Sequence, residues 1–112
     1  MMRKSFTAVL ERNQTFTADF ETEPYEVGWA AEARWFVRVL ELEGVRAGLR
    51  LNSQISPDGL EWCDHEEPER FCTEPELITM PVRDFGQWLR LRVELPAPDS
   101  RVKVQIYLAC KS

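Results

Sequence analysis

Cys63, His65 and Cys72 are the residues of this chain best equipped for chemistry, with Asp64 and Glu66 beside them. Thiolate and imidazole together are zinc-type ligands. The spacing Cys-x-His-x6-Cys matches no standard zinc knuckle, and no fourth ligand stands out. In an oxidising compartment Cys63 and Cys72 could instead close their loop as a disulfide. The loop has no Asp-x-Asp-x-Asp-Gly series for calcium. His65 is the single histidine and a near neighbour of both cysteines in sequence, whereas a working nucleophile and base usually converge from separate elements. Acidic residues are numerous, but nothing selects two of them as an acid–base pair. The expectation is a protein without cofactor or resident metal that is not an enzyme. A small enzyme using the acidic loop is the third-ranked alternative.

The elements that must position these residues are strands. The runs Leu49-Arg50-Leu51-Asn52-Ser53-Gln54-Ile55, Leu89 to Leu95 and Val102 to Leu108 alternate apolar and polar residues. Period two means strands with one face buried and one wet. In Arg34 to Leu42, Trp35, Val37 and Val39 point one way and Phe36, Leu40 and Leu42 the other. Apolar residues on both faces predict a central strand, or one covered on its outer side, and Arg38 among the second set needs a partner or a solvent exit. Asn13-Gln14 reads as a turn, Gly48 as a bulge, and Ala30 to Ala33 as one possible helical turn. Pro24 ends a strand, Pro81 interrupts another, and Pro96-Ala97-Pro98-Asp99-Ser100 reads as a hairpin loop. About eight strands in 112 residues predict an all-β antiparallel sandwich of jelly-roll type, one domain over 1–112.

The net charge of -5 disfavours nucleic acid and anionic membrane surfaces as partners. The stretch Glu61 to Glu76 is markedly acidic, with Arg70 its only Lys or Arg. No stretch of about 20 apolar residues offers a transmembrane helix. Met1-Met2-Arg3-Lys4 begins like a signal peptide, but Glu11 and Arg12 arrive before any apolar core forms. The expected location is the cytoplasm, with release inside a particle left open. Three cysteines argue against a disulfide framework. Cys110 continues the apolar face of the last strand and reads as a small buried residue.

Ser56-Pro57-Asp58-Gly59 fits a type I turn: Pro57 presets φ, Asp58 tolerates the second central position, and Gly59 exits at positive φ. Trp62 then returns the strand toward the core. The run Ser56-Pro57-Asp58-Gly59-Leu60-Glu61-Trp62 resembles the Ser-x-Asp-Gly-x-x-Trp hairpin of galactose-binding-like jelly rolls, including the discoidin (coagulation factor 5/8 type C) group. Trp88-Leu89-Arg90-Leu91 is similar to that group's later aromatic-hydrophobic-Arg-hydrophobic strand. The resemblance covers about the last two-thirds of the chain and implies the fold, with carbohydrate binding as the associated role. The chain is shorter than discoidin-type domains and lacks their terminal cysteine pair and export signal. A looser resemblance links the Asp-Gly hairpin to small β-sandwich proteins of phage-like particles.

Trp29, Trp35, Trp62 and Trp88 could include a sugar-stacking platform, although aromatic residues more often pack a core. If the last two strands pair through the Pro96–Ser100 loop, Trp88, Arg90 and Arg92 share one face with Lys103, Gln105 and Tyr107. That mixed aromatic and basic surface is the candidate contact site, because such residues are enriched at interface hot spots. The leading expectation is therefore a structural or assembly module acting by protein–protein contact, as a homo-oligomer or a subunit of a larger particle. A carbohydrate-binding module is the alternative.

Overall fold

Ten strand segments make two antiparallel sheets in the computed structural model, which describes residues 5–112. They are β1 (Ser5–Phe16), β2 (Phe20–Glu21), β3 (Tyr25–Glu26), β4 (Glu32–Glu43), β5 (Leu49–Ser56), β6 (Cys63–Asp64), β7 (Arg70–Cys72), β8 (Leu77–Val82), β9 (Trp88–Glu94) and β10 (Arg101–Lys111). The first sheet has the order β1-β10-β4-β8. The second has β9 and β5 at its centre, flanked by β2 and β3 along one edge and by β6 and β7 along the other. This interleaving of strands between facing sheets is a jelly roll. Ten segments stand where about eight were expected, because each edge of the second sheet is broken in two. Met1 to Lys4, read above as a basic leader-like start, lie outside the described residues.

The period-two pattern sets the core. Leu49 and Leu51 on β5 and Leu89, Leu91 and Val93 on β9 face Trp35 and Val37 on β4 and Val102, Val104, Ile106 and Leu108 on β10, all fully buried. Ser53 also points inward. Its hydroxyl accepts a 3.0 Å hydrogen bond from the Trp35 indole N–H, joining the two sheets through the core. β4 is central, as its two-faced pattern predicts, but no element of the described chain covers its outer side. A register shift beside Val39 makes Leu40 an extra residue, so Leu42 lies opposite Val102 and packs on the core rather than outward with Phe36.

Several local expectations give way. Asn13 is no turn: β1 runs on through it with two register shifts and a positive φ of 49° at Asn13. Ala30 closes a turn on Val27, and β4 follows without a helical turn. Gly48 lies just before β5 rather than bulging within it, and a Cβ there would stand 3.2 Å from the Cys72 carbonyl. Pro96–Ser100 is not a hairpin. It carries the chain from β9 in the second sheet to β10 in the first. Asp19 accepts the Leu95 N–H at 2.7 Å, and Asp99 accepts the Val45 N–H at 2.9 Å. The Asp19 carboxylate takes the Leu95 N–H that a hairpin ladder would have used, and Asp99 ties the crossing segment to the β4–β5 connection.

The cross-core bond predicts a coupled pair. Ser53→Ala leaves the buried indole N–H unpartnered and should destabilise by about 1–3 kcal/mol in urea unfolding. Trp35→Phe together with Ser53→Ala should cost less than the sum of the two single changes.

Candidate functional site

The acidic loop does not assemble the chemistry its residue types allow. Cys63 pairs with Ile55 and Cys72 with Leu49, at opposite ends of β5. Six residues of strand separate those positions, about 20 Å at the usual rise, which neither a disulfide nor a shared metal ion can bridge. Cys63 is exposed, while Cys72 and Cys110 are buried. Burial raises the Cys72 thiol above its ordinary value of 9.0, with the nearby Glu76 and Glu74 carboxylates adding to the rise. Burial likewise raises Cys110. His65 is buried, and its network assigns the tautomer. Nε2 donates to the Arg83 carbonyl at 2.6 Å, and Nδ1 accepts the Glu67 N–H at 3.0 Å. With both nitrogens occupied, the ring pins the loop to the 83–84 segment.

The turn at Ser56–Gly59 is held by its own side chains. The Ser56 hydroxyl accepts the Gly59 N–H at 2.8 Å, and Asp58 Oδ1 accepts the N–H groups of Leu60 and Glu61 at 2.8 and 3.1 Å. Those two bonds, to Leu60 first, hold the Asp58 carboxyl below its ordinary 3.8. Gly59 has the expected positive φ, 80°, and packs against the Trp88 ring. Trp62 does not return to the core. It lies half-buried on the outer face with the Arg90 guanidinium stacked 4.3 Å from its ring.

The surface expected from six residues is split. Trp88, Arg90 and Arg92 stand on the outer face of the second sheet, and Lys103, Gln105 and Tyr107 on the outer face of the first. The pairing of β9 with β10 that would have joined them does not exist, because the Pro96–Ser100 segment crosses between sheets. On the second sheet the arginines are occupied. Arg92 pairs with Glu21 at 2.5 Å and with Glu94 at 3.4 Å. Arg90 donates to Gln54 at 2.8 Å, and Arg50 pairs with Glu94 at 3.4 Å.

The first sheet differs. Phe36 on β4 and Tyr107 on β10 are register partners on its outer face, half-buried without cover. Arg34 and Arg38 flank Phe36. Arg34 donates to Thr79 at 3.1 Å and Arg38 to Gln105 at 3.0 Å. Among the described residues no carboxylate lies within ion-pair distance of Arg34, Arg38, Arg83, Lys103 or Lys111. The register sets Glu41 opposite Lys103 and Glu32 opposite Lys111, but Arg34 and Arg38 face no acid on either neighbouring strand. A cleft of about 570 Å³ opens at one end of this face, lined by Arg34, Phe36, Pro81, Arg83, Ala109 and Lys111, with Glu32 its acid. Phe36, Arg34 and Arg38 are the functional candidates missed in sequence. The two-faced apolar pattern of β4 was the available signal.

A third feature lies at the seam between β1 and β3. Phe6, Tyr25 and Trp29 line a recess of about 140 Å³, where the Phe6 and Tyr25 rings stand 6.0 Å apart.

No protein-family model matches the chain. No curated protein matches it in sequence. Solved structures do match its fold. The PBSX exported protein XepA aligns with a TM-score of 0.60 at 10% identity, over 97% of this chain and 36% of XepA. The SPBc2 prophage-derived protein YomS aligns with a TM-score of 0.58 at 10% identity, over 100% of this chain and 96% of YomS. PirA aligns with a TM-score of 0.54 at 14% identity, over 93% of this chain and 92% of PirA. The chain thus spans about a third of XepA and nearly the whole of the other two. At such identities the likeness establishes the fold.

Thiol labelling checks the cysteine placement. The native protein should react quickly at Cys63 alone, and the buried Cys72 and Cys110 should label only on unfolding. Fast native labelling of Cys72 would contradict the arrangement.

Proposed function

We propose that this chain is a non-catalytic β-sandwich module that works by protein–protein contact, as an assembly subunit of a homo-oligomer or a larger particle. The observation that carries the reading is the outer face of the first sheet. Phe36 and Tyr107 stand there uncovered beside Arg34 and Arg38, which have no carboxylate partner among the described residues. Aromatic rings with arginine are the composition of interface hot spots. The edges of the sheets are poor docking strands by comparison. β1 carries two register shifts, β8 contains Pro81, and both edges of the second sheet are short broken segments. Such edges resist strand-to-strand addition, which leaves a face as the better contact. The prophage-derived YomS shares this fold along nearly its whole length, which is consistent with a non-catalytic β module.

A second reading, a galactose-binding-like carbohydrate module, draws on the recess of Phe6, Tyr25 and Trp29. Aromatic rings at a small recess suit stacking on a sugar ring. The Glu26 carboxylate at its rim is taken up by the Gly28 N–H and by Gln87.

Light scattering at two concentrations should give a mass above the 13.1 kDa monomer that rises with concentration. Phe36→Asp should weaken that association about 30-fold, the effect of losing a hot spot of about 2 kcal/mol. A wild type that stays monomeric at high concentration overturns the assembly reading. A glycan array with Trp29→Ala as control tests the second reading, which fails if no glycan is retained or if the variant retains it equally.

A further inference from the structure

We infer that the basic cleft of the first sheet receives the acidic 60–71 segment of a second copy of this chain. The inference rests on the contact reading above and names its partner. The cleft joins three cations, Arg34, Arg83 and Lys111, to an apolar floor of Phe36, Pro81 and Ala109, against one acid, Glu32. None of the three cations has a carboxylate within ion-pair distance among the described residues. An occupant that suits this cleft brings carboxylates together with apolar side chains.

The chain carries such a segment on its own surface. Within it, Asp64 is engaged by Gln54 and Glu69 by Arg50. Glu61 and Glu67 have no cation partner among the described residues. Glu66 has only the His65 ring at 3.6 Å, whose Nε2 already donates to carbonyls. The same segment presents two large apolar side chains to solvent, Leu60 at 82% and Phe71 at 59% exposure. Carboxylates and exposed apolar side chains therefore stand on one segment, and cations without a carboxylate partner among the described residues stand with an apolar floor in the cleft.

Within one molecule the two parts adjoin at Arg83, which also lines a recess with His65, Glu66, Glu67 and Pro68 but makes no ion pair there among the described residues. His65 clamps the segment to the Arg83 and Asp84 carbonyls, beside the cleft. Held there, it borders the cleft without entering the lining. A second copy can satisfy both parts at once. Each molecule carries a net charge of -5, so association depends on local pairing of opposite patches rather than on overall charge. Acidic nucleic acid would meet that same repulsive field across the rest of the surface.

Charge reversal with rescue tests the inference. The cleft variant is Arg34→Glu with Arg83→Glu, and the segment variant is Glu66→Lys with Glu67→Lys. Light scattering should find each variant alone at least about tenfold weaker in association than the wild type, the loss expected from like charges set face to face. Mixing the two should restore a species of twice the 13.1 kDa monomer or larger, because an acidic segment again meets a basic cleft. If the segment variant assembles like the wild type while the cleft variant does not, the named partner is wrong and the contact face stands. If both variants assemble like the wild type, the cleft and the segment are both excluded from the interface. Circular dichroism melts control for folding, and Glu66→Gln with Glu67→Gln supplies a milder variant expected to weaken association in the same direction.

Discussion

The hydrogen bond from the Trp35 indole to the Ser53 hydroxyl is the point at which the two sheets are joined in register. Both groups are buried, so each needs the other. The Trp35 carbonyl is tied in turn, accepting the Thr79 hydroxyl of the edge strand β8 at 3.0 Å. That one residue thus links three strands of different chain order. Because side chains alternate, fixing Trp35 inward also fixes Arg34 and Phe36 outward. The candidate surface is the other side of the same constraint that makes the core.

The two outer faces use arginine in opposite ways. On the second sheet Arg50, Arg90 and Arg92 are threaded among Glu21, Glu69, Glu94, Gln54 and Trp62. Exposed pairs of this kind each contribute little, but they leave each of the three guanidinium groups already facing a carboxylate. On the first sheet Arg34 and Arg38 reach only neutral oxygens, beside half-buried rings. Desolvating cations already paired at home offers a partner little, whereas cations with free donors beside an apolar floor can gain new pairs. This difference, rather than the number of basic residues, separates the faces as contact surfaces.

Much of the fold was legible. The alternation from Leu49 to Ile55 and from Val102 to Cys110, the turn at Ser56–Gly59 and the buried Cys110 follow from steric period and turn geometry, which are local. The bulge that sends Leu42 back to the core was not legible, because it depends on the facing register of β10. Trp62 was misjudged because its guanidinium partner, Arg90, is supplied by a strand 28 positions away. The candidate surface was misdrawn for a similar reason. Pro96–Ser100 has the composition of a hairpin loop, and composition does not say whether the next strand returns to the same sheet.

By itself the sequence determined which residues face inward along β5, β9 and β10, where the Asp58-Gly59 turn falls and that the chain forms a β-sandwich, because these depend on spacing between near neighbours. Only the tertiary structure decided which faces share a surface. It parted Trp88, Arg90 and Arg92 from Lys103, Gln105 and Tyr107, set Cys63 and Cys72 at opposite ends of one strand, and left Arg34 and Arg38 without acids across from them. The physical reason is that strand order and sheet crossing are settled by how the whole core closes, and that closure is a property of distant residues together.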